Sequence, residues 1–218
     1  MKMKMKLRQI VLLLCGLSVA HLGVTLFIQS NLGSDPFNVL IQGIFRSVPW
    51  PEGLAWTHGR THMLISFLII LVLLSVDKRY IKIGTLLCMF LGGPIIDGFT
   101  FWIGDYINQS IPLPWRVLMV VIGCVILSMG MTIVIKSEAG TGPNDLVAVV
   151  WSDKWKKSFG IIRMVTDGCF VLIGFLLGGI FGIGTIICVF VVGPVAQIFM
   201  PYAEPVSYTH LTLPTTSR

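Results

Sequence analysis

The chain is 218 residues long, 55% hydrophobic and only 12% charged, with a mean hydropathy of +0.86 and a formal net charge of +6. A soluble domain carries roughly 25% charged residues, so this is not the composition of a soluble enzyme. Nor do the cations trace a nucleic-acid surface, because they fall in short clusters between apolar blocks.

Those blocks lie near 9–28, 61–76, 83–104, 115–135, 161–180 and 183–200. A helix rises about 1.5 Å per residue, so about 20 residues match a hydrocarbon core about 30 Å thick. Lipid forces backbone polar groups to pair within a helix, and strands are not expected. The first block follows Lys2, Lys4, Lys6 and Arg8 as a signal peptide would, but no small-residue cleavage site follows at Gln29–Gly33, so it reads as an uncleaved span. It carries His21, read either as a proton carrier or as a packed, hydrogen-bonded histidine. The run Gly33-Ser34-Asp35-Pro36-Phe37-Asn38 then breaks the chain before an apolar segment, 37–48, too short to cross as a straight helix.

His58 and His62 open the second block at an i, i+4 spacing, without the glutamate of a metalloprotease helix or a third ligand, so no metal is expected. The third block carries Gly93-Pro94 and then Asp97. The fourth ends in Gly140-Thr141-Gly142-Pro143-Asn144-Asp145 and a second short segment, 144–151. The fifth holds Arg163 and Asp167, and the sixth repeats Gly193-Pro194 with Gln197 where the third has Asp97. Cys15, Cys88, Cys124, Cys169 and Cys188 all fall inside the blocks without metal spacing and read as packing residues. From Val206 to Arg218 the composition switches to Thr, Ser and Pro; this stretch reads as a non-native, adapter-derived tail, leaving a single membrane domain over 1–205.

The chain repeats itself. Gly16–Pro36 aligns without a gap on Gly123–Pro143 at an offset of 107, pairing Gly23 with Gly130, Gly33 with Gly140 and Pro36 with Pro143. Gly84–Phe99 aligns on Gly184–Phe199 at an offset of 100, with Gly-Thr-x-x-Cys-x-Phe-x-x-Gly-Pro in both. The seven-residue difference is placed in the connection near 49–56. Repeat 1 thus spans about 7–105 and repeat 2 about 114–201. Each reads as a span, a Gly/Pro break, a short segment and two further spans.

Charge selects the topology, since Lys and Arg near span ends collect on the cytoplasmic side. With three spans per repeat, the N-terminus, Lys78/Arg79/Lys82 and Lys136/Lys154/Lys156/Lys157 all lie inside, leaving Arg46, Arg60 and Arg116 outside. The expected fold is therefore two inverted repeats of three transmembrane helices, each with a re-entrant or half helix after its first span; the alternative is eight crossings. Inverted repeats place substrate sites near the midplane, where broken helices line a cavity.

The paired breaks supply the candidate site. Ser34, Asp35 or Thr141 can cap, Pro36 and Pro143 fit the first helical turn, and the free N–H groups suit an anion or carboxyl group, while Asn38, Asn144 and Asp145 offer oxygens to a cation or polar solute. The other reading is a structural turn at the membrane surface. Asp97 joins the set because an acidic group within a span is costly unless paired or hydrated, the alternative being an interfacial position. Arg163 and Asp167 share a helix face and read as a structural ion pair. No P-loop, nucleophile elbow or dinucleotide fingerprint occurs, so neither enzymatic activity nor a cofactor is expected.

With its paired Gly-x-x-Pro breaks and its Gly-Thr-x-x-Cys-x-Phe-x-x-Gly-Pro segments, the chain resembles the YczE-like branch of the YitT family of bacterial integral membrane proteins, over roughly Leu7 to Pro201. The resemblance implies a multi-pass protein of the bacterial cytoplasmic membrane and transfers no substrate. The leading expectation is a transporter or permease for a small polar or anionic solute. The rival is a scaffold binding another membrane or secretory component, or a second copy, through close helix packing at Gly16, Gly23, Gly123 and Gly130.

Overall fold

The structure, a computed structural model, describes residues 2–50, 56, 58–103 and 111–202. Among them are eight α-helices and no strand: α1 Lys2–Gln29, α2 Pro36–Ser47, α3 His58–Asp77, α4 Ile83–Ile103, α5 Leu113–Lys136, α6 Pro143–Trp155, α7 Phe159–Leu176 and α8 Ile183–Phe199, with a short 3-10 turn, Lys78–Tyr80, after α3. Helices α1, α3, α4, α5 and α7 are long and apolar enough to cross a membrane, and α8 is apolar over 17 residues. Large apolar side chains such as Val72, Phe101, Trp102, Leu172 and Leu176 lie exposed on the outside, the surface of a protein that faces lipid. The chain is a polytopic membrane protein.

Several boundaries differ from the sequence expectation: α1 begins at Lys2, ahead of the block near 9–28, and two helix ends move as well. The fifth block was read through to residue 180, but α7 stops at Leu176, because Gly178 at φ +87° turns the chain away. The second short helix runs to Trp155 rather than 151, ended by Lys156 in the left-handed conformation. Most of the connection at 49–56, and the 206–218 tail, lie outside the described residues.

Helices α1 and α5 form the spine, and small residues let their backbones meet. A side chain on Gly23 would strike the backbone of Gly123 and Leu127, and one on Gly130 would strike Gly16 and Ala20. As numbers rise along α1 they fall along α5, so the two helices run antiparallel. Exchanging Gly16 with Gly123 and Gly23 with Gly130 maps each contact onto the other. These glycines, read from sequence as available to an outside partner, are buried between the chain's own helices.

The same exchange holds elsewhere. The N–H of Gly84 donates to the Ala139 carbonyl at 2.8 Å, and its counterpart Gly184 donates to Leu32 at 2.9 Å. Each half's last helix is thereby tied to the end of the other half's first. Gly33 (φ +143°) packs against Gly182 and Thr185, as Gly140 (φ +130°) packs against Gly84 and Thr85. At the ends of α1 and α5, Asn31 and Glu138 are both left-handed, and a cation reaches each terminus: Arg116 donates to the Ser30 and Asn31 carbonyls, and Lys82 to that of Glu138.

Packing also fixes how α3 corresponds to α7. Gly174 of α7 lies against Val39 and Gly43 of α2, while Leu73 of α3 packs with Leu146 and Val150 of α6. Val39 and Gly43 correspond to Leu146 and Val150, so Leu73 corresponds to Gly174, an offset of 101. Gly59, His62, Met63 and Ser66 then match Gly160, Arg163, Met164 and Asp167.

Candidate functional site

The two half-helices begin differently. Asp35 caps α2, its Oδ1 accepting the N–H groups of Phe37 (3.1 Å) and Asn38 (3.2 Å), and the Asn38 amide donates to its other oxygen. Proline at the first helical position makes the preceding residue the cap, which in α6 is Gly142, with no side-chain cap. Thr141 is therefore not a cap: it is 4% exposed and its Oγ1 has no hydrogen-bond partner among the described residues. Ser34, its counterpart, is half-buried, and its carbonyl accepts the Thr185 hydroxyl at 2.5 Å. Asn144 is half-buried in the first turn of α6, its Oδ1 turned toward Gly142.

Arg163 on α7 joins two helices. Its Nη1 donates to Asp145 Oδ1 of α6 at 2.5 Å, and its Nε to Asp167 Oδ2 at 2.9 Å. Arg163 and Asp167 are buried, with side-chain exposures of 7% and 0%, while Asp145 retains 19%. Only the Asp167 contact follows from i, i+4 spacing; Asp145 is 18 positions upstream. The second Asp167 oxygen is buried without a hydrogen-bond partner among the described residues, an unusual state for a group so costly to desolvate.

A histidine missing from the candidate set, His21, sits on α1. His21 Nδ1 donates to the Leu17 carbonyl at 2.7 Å, which assigns the proton to Nδ1 and turns Nε2 toward Gly92 of α4. Absence of a side chain at Gly92 makes the room. The counterpart of His21 in the repeat is Ser128, and the two halves differ in chemistry elsewhere too: where α6 and α7 carry Asp145, Arg163 and Asp167, their partners α2 and α3 carry Asn38, His62 and Ser66. His62 instead meets the Phe37 ring edge-on at 5.2 Å.

Asp97 is not brought to this cluster. It is exposed on α4, whose buried face is Gly84, Thr85, Cys88 and Gly92. Five residues beyond Gly92 at about 100° each, Asp97 points the other way. Its counterpart Gln197 accepts the N–H of Gly160 at 3.0 Å. Among the described residues, no group of three or more His, Cys, Asp or Glu side chains is arranged to hold a metal ion.

The half-helices, the buried triad and the two halves thus occupy almost the whole length over which a family match is found. The match, to the family of unknown function DUF6198, extends over residues 7–201. The chain belongs to the DUF6198 family. This DUF6198 chain is similar to the uncharacterized protein YyaS of Bacillus subtilis (strain 168), at 28% identity over 192 residues, covering 87% of the chain and 90% of the relative. It is 30% identical over 193 residues to an uncharacterized Haemophilus influenzae protein, with 88% and 84% covered. It is also 25% identical over 187 residues to the uncharacterized membrane protein YczE of Bacillus subtilis, with 85% and 82% covered. That relative accords with a YczE-like membrane family. No solved structure matches the chain.

Proposed function

We propose that this protein is a transporter or permease of the bacterial cytoplasmic membrane, its two halves inverted repeats and its N-terminus cytoplasmic, with no enzymatic activity. The solute site lies between the starts of α2 and α6, bounded by Asp35, Asn38, Asn144 and Asp145 and backed by Arg163, Asp167 and His21. The observation that carries the reading is the buried ionic cluster at the start of the broken helix α6, where Arg163 binds Asp145 at 2.5 Å and Asp167 at 2.9 Å. Broken helices meeting inside a membrane protein are the usual construction of a solute site, and intramembrane ionisable groups mark pathways. The antiparallel pairing of α1 with α5 supports inversion, and the motif resemblance supports the YitT affiliation.

Composition of the site revises the solute class. The Arg163 guanidinium is already engaged by two carboxylates, Asp145 and Asp167, and Asp35 adds a third acid at the start of α2. A cationic or zwitterionic solute, or a coupling cation, fits this field better than an anion does. The scaffold reading loses its main support, because the glycines that suggested it are occupied within the chain.

The test is reconstitution. Purified protein in proteoliposomes is challenged with small ammonium compounds, zwitterions and carboxylates while charge movement is recorded on a supported membrane. The reading expects currents from at least one cationic or zwitterionic class and their loss in Asp145→Asn. Silence across the panel from protein that keeps its thermal transition would sink it.

A further inference from the structure

The exchange that relates the two halves also fails in the packing of their last two helices. At the start of α7, Gly160 lies against Gly193 of α8, both glycines buried, and Gln197 accepts the Gly160 N–H at 3.0 Å. The corresponding residues of the first half are Gly59 at the start of α3, and Gly93 and Asp97 on α4. Gly59, Gly93 and Asp97 are all exposed, and a Cβ added to Gly93 would meet nothing within 4 Å. The parts of the seam are therefore present twice: two glycines that allow close approach, and an oxygen acceptor one turn further along the second helix. Only one copy is closed.

Resting on the reading of the halves as inverted repeats, we propose that the chain has a second conformation in which the start of α3 closes on α4, Gly59 against Gly93, with Asp97 accepting the Gly59 N–H, while the start of α7 leaves α8. Helices α7 and α3 begin at opposite ends of the bundle in that reading, so the two seams seal opposite faces and closing one while opening the other gives alternating access. The first helix-turn N–H groups are unsatisfied by the helix itself, so an acceptor at that position has a defined partner. A carboxylate there is also favoured by the helix dipole, which the amide of Gln197 exploits less. The exposed Asp97 carboxylate, costly in lipid, is thereby half of a contact made in the other state.

The experiment uses full-length protein in proteoliposomes, with the five native cysteines replaced and Arg60→Cys and Gly98→Cys introduced together, beside the seam, so that Gly59, Gly93 and Asp97 stay in place. A short bis-maleimide is added, and linked peptides are read by mass spectrometry. We expect a cross-link within one chain. Gln197→Leu removes the acceptor from the closed seam and should speed that cross-link by roughly two- to tenfold, the population shift for one hydrogen bond. Asp97→Leu should slow it by a similar factor, and Asp97→Asn, which keeps an acceptor, should hold it near the parent rate. Single-cysteine chains that label fully with a simple maleimide while the pair never links would overturn the proposal. Links only between two copies would overturn it too, assigning this face of α4 to a dimer. Cross-linking with the expected dependence on Gln197 and Asp97, but no solute current, would support the second conformation and overturn the transport reading. Solute current with cysteines that label yet never link would do the reverse.

Discussion

Gly23 of α1 lies directly against the backbone carbonyl of Gly123 of α5. No side chain fits between them, so Gly23→Leu should destabilise the protein by about 1–3 kcal/mol or more, the cost of overpacking a site that cannot relax. Gly98→Leu, where an added Cβ meets nothing within 4 Å, should be tolerated. Thermal unfolding in detergent separates the two, and equal losses at both positions would refute the α1–α5 spine.

Arg163 is the hinge of the buried polar cluster. Arg163→Met leaves Asp167 and Asp145 without their cation and should cost about 3–5 kcal/mol. The double variant Arg163→Met with Asp167→Leu should recover part of that loss, since the fully buried carboxylate is then gone and only the partly exposed Asp145 is left unpaired. Folded yield and unfolding midpoint are the readouts; no recovery in the double variant would mean that the pair is not the dominant contact of the site.

Capping of α2 rests on Asp35. Asp35→Ala should weaken the start of that helix by about 1 kcal/mol, and Asp35→Ser should restore most of it. Hydrogen exchange of the Phe37 and Asn38 amides, which bond to the carboxylate, reports this locally. The α6 start has no side chain to lose, so Gly142→Ser should leave its amides as protected or more so.

Sidedness is best read at Asn31 and Glu138, counterparts that are both exposed and both left-handed. In a chain freed of native cysteines, Asn31→Cys should react with an impermeant thiol reagent on intact cells. Glu138→Cys should react only once the membrane is opened. Labelling of both from one side would rule out inverted repeats. Ser34 and Thr141 serve less well, because Thr141 is 4% exposed.

Much of the architecture was legible because membrane helices announce themselves by length and apolarity, and because the glycine and proline breaks recur in order. The short helices start at Pro36 and Pro143, where proline chemistry places them. Long-range polar pairing was not legible: nothing in the spacing of Asp145 and Arg163 shows that they meet, whereas Arg163 and Asp167 share a helix face. Asp97 could have been set aside from sequence by phase alone, lying opposite Cys88 on the α4 wheel. The match of Ser66 to Asp167 and His62 to Arg163 was hidden because chemistry diverged at those positions, and it emerged only when Leu73 and Gly174 were seen packing against equivalent partners.

The paired clasps Gly84–Ala139 and Gly184–Leu32 make the order of synthesis matter. The end of α1 emerges early, yet the N–H that satisfies Leu32 belongs to α8, about 150 residues later. Until then the Arg116 side chain of α5 can reach the Ser30 and Asn31 carbonyls, but that of Leu32 waits for its partner. Neither half is then a self-sufficient folding unit, and two separately expressed halves meeting in one membrane have a built-in reason to interlock.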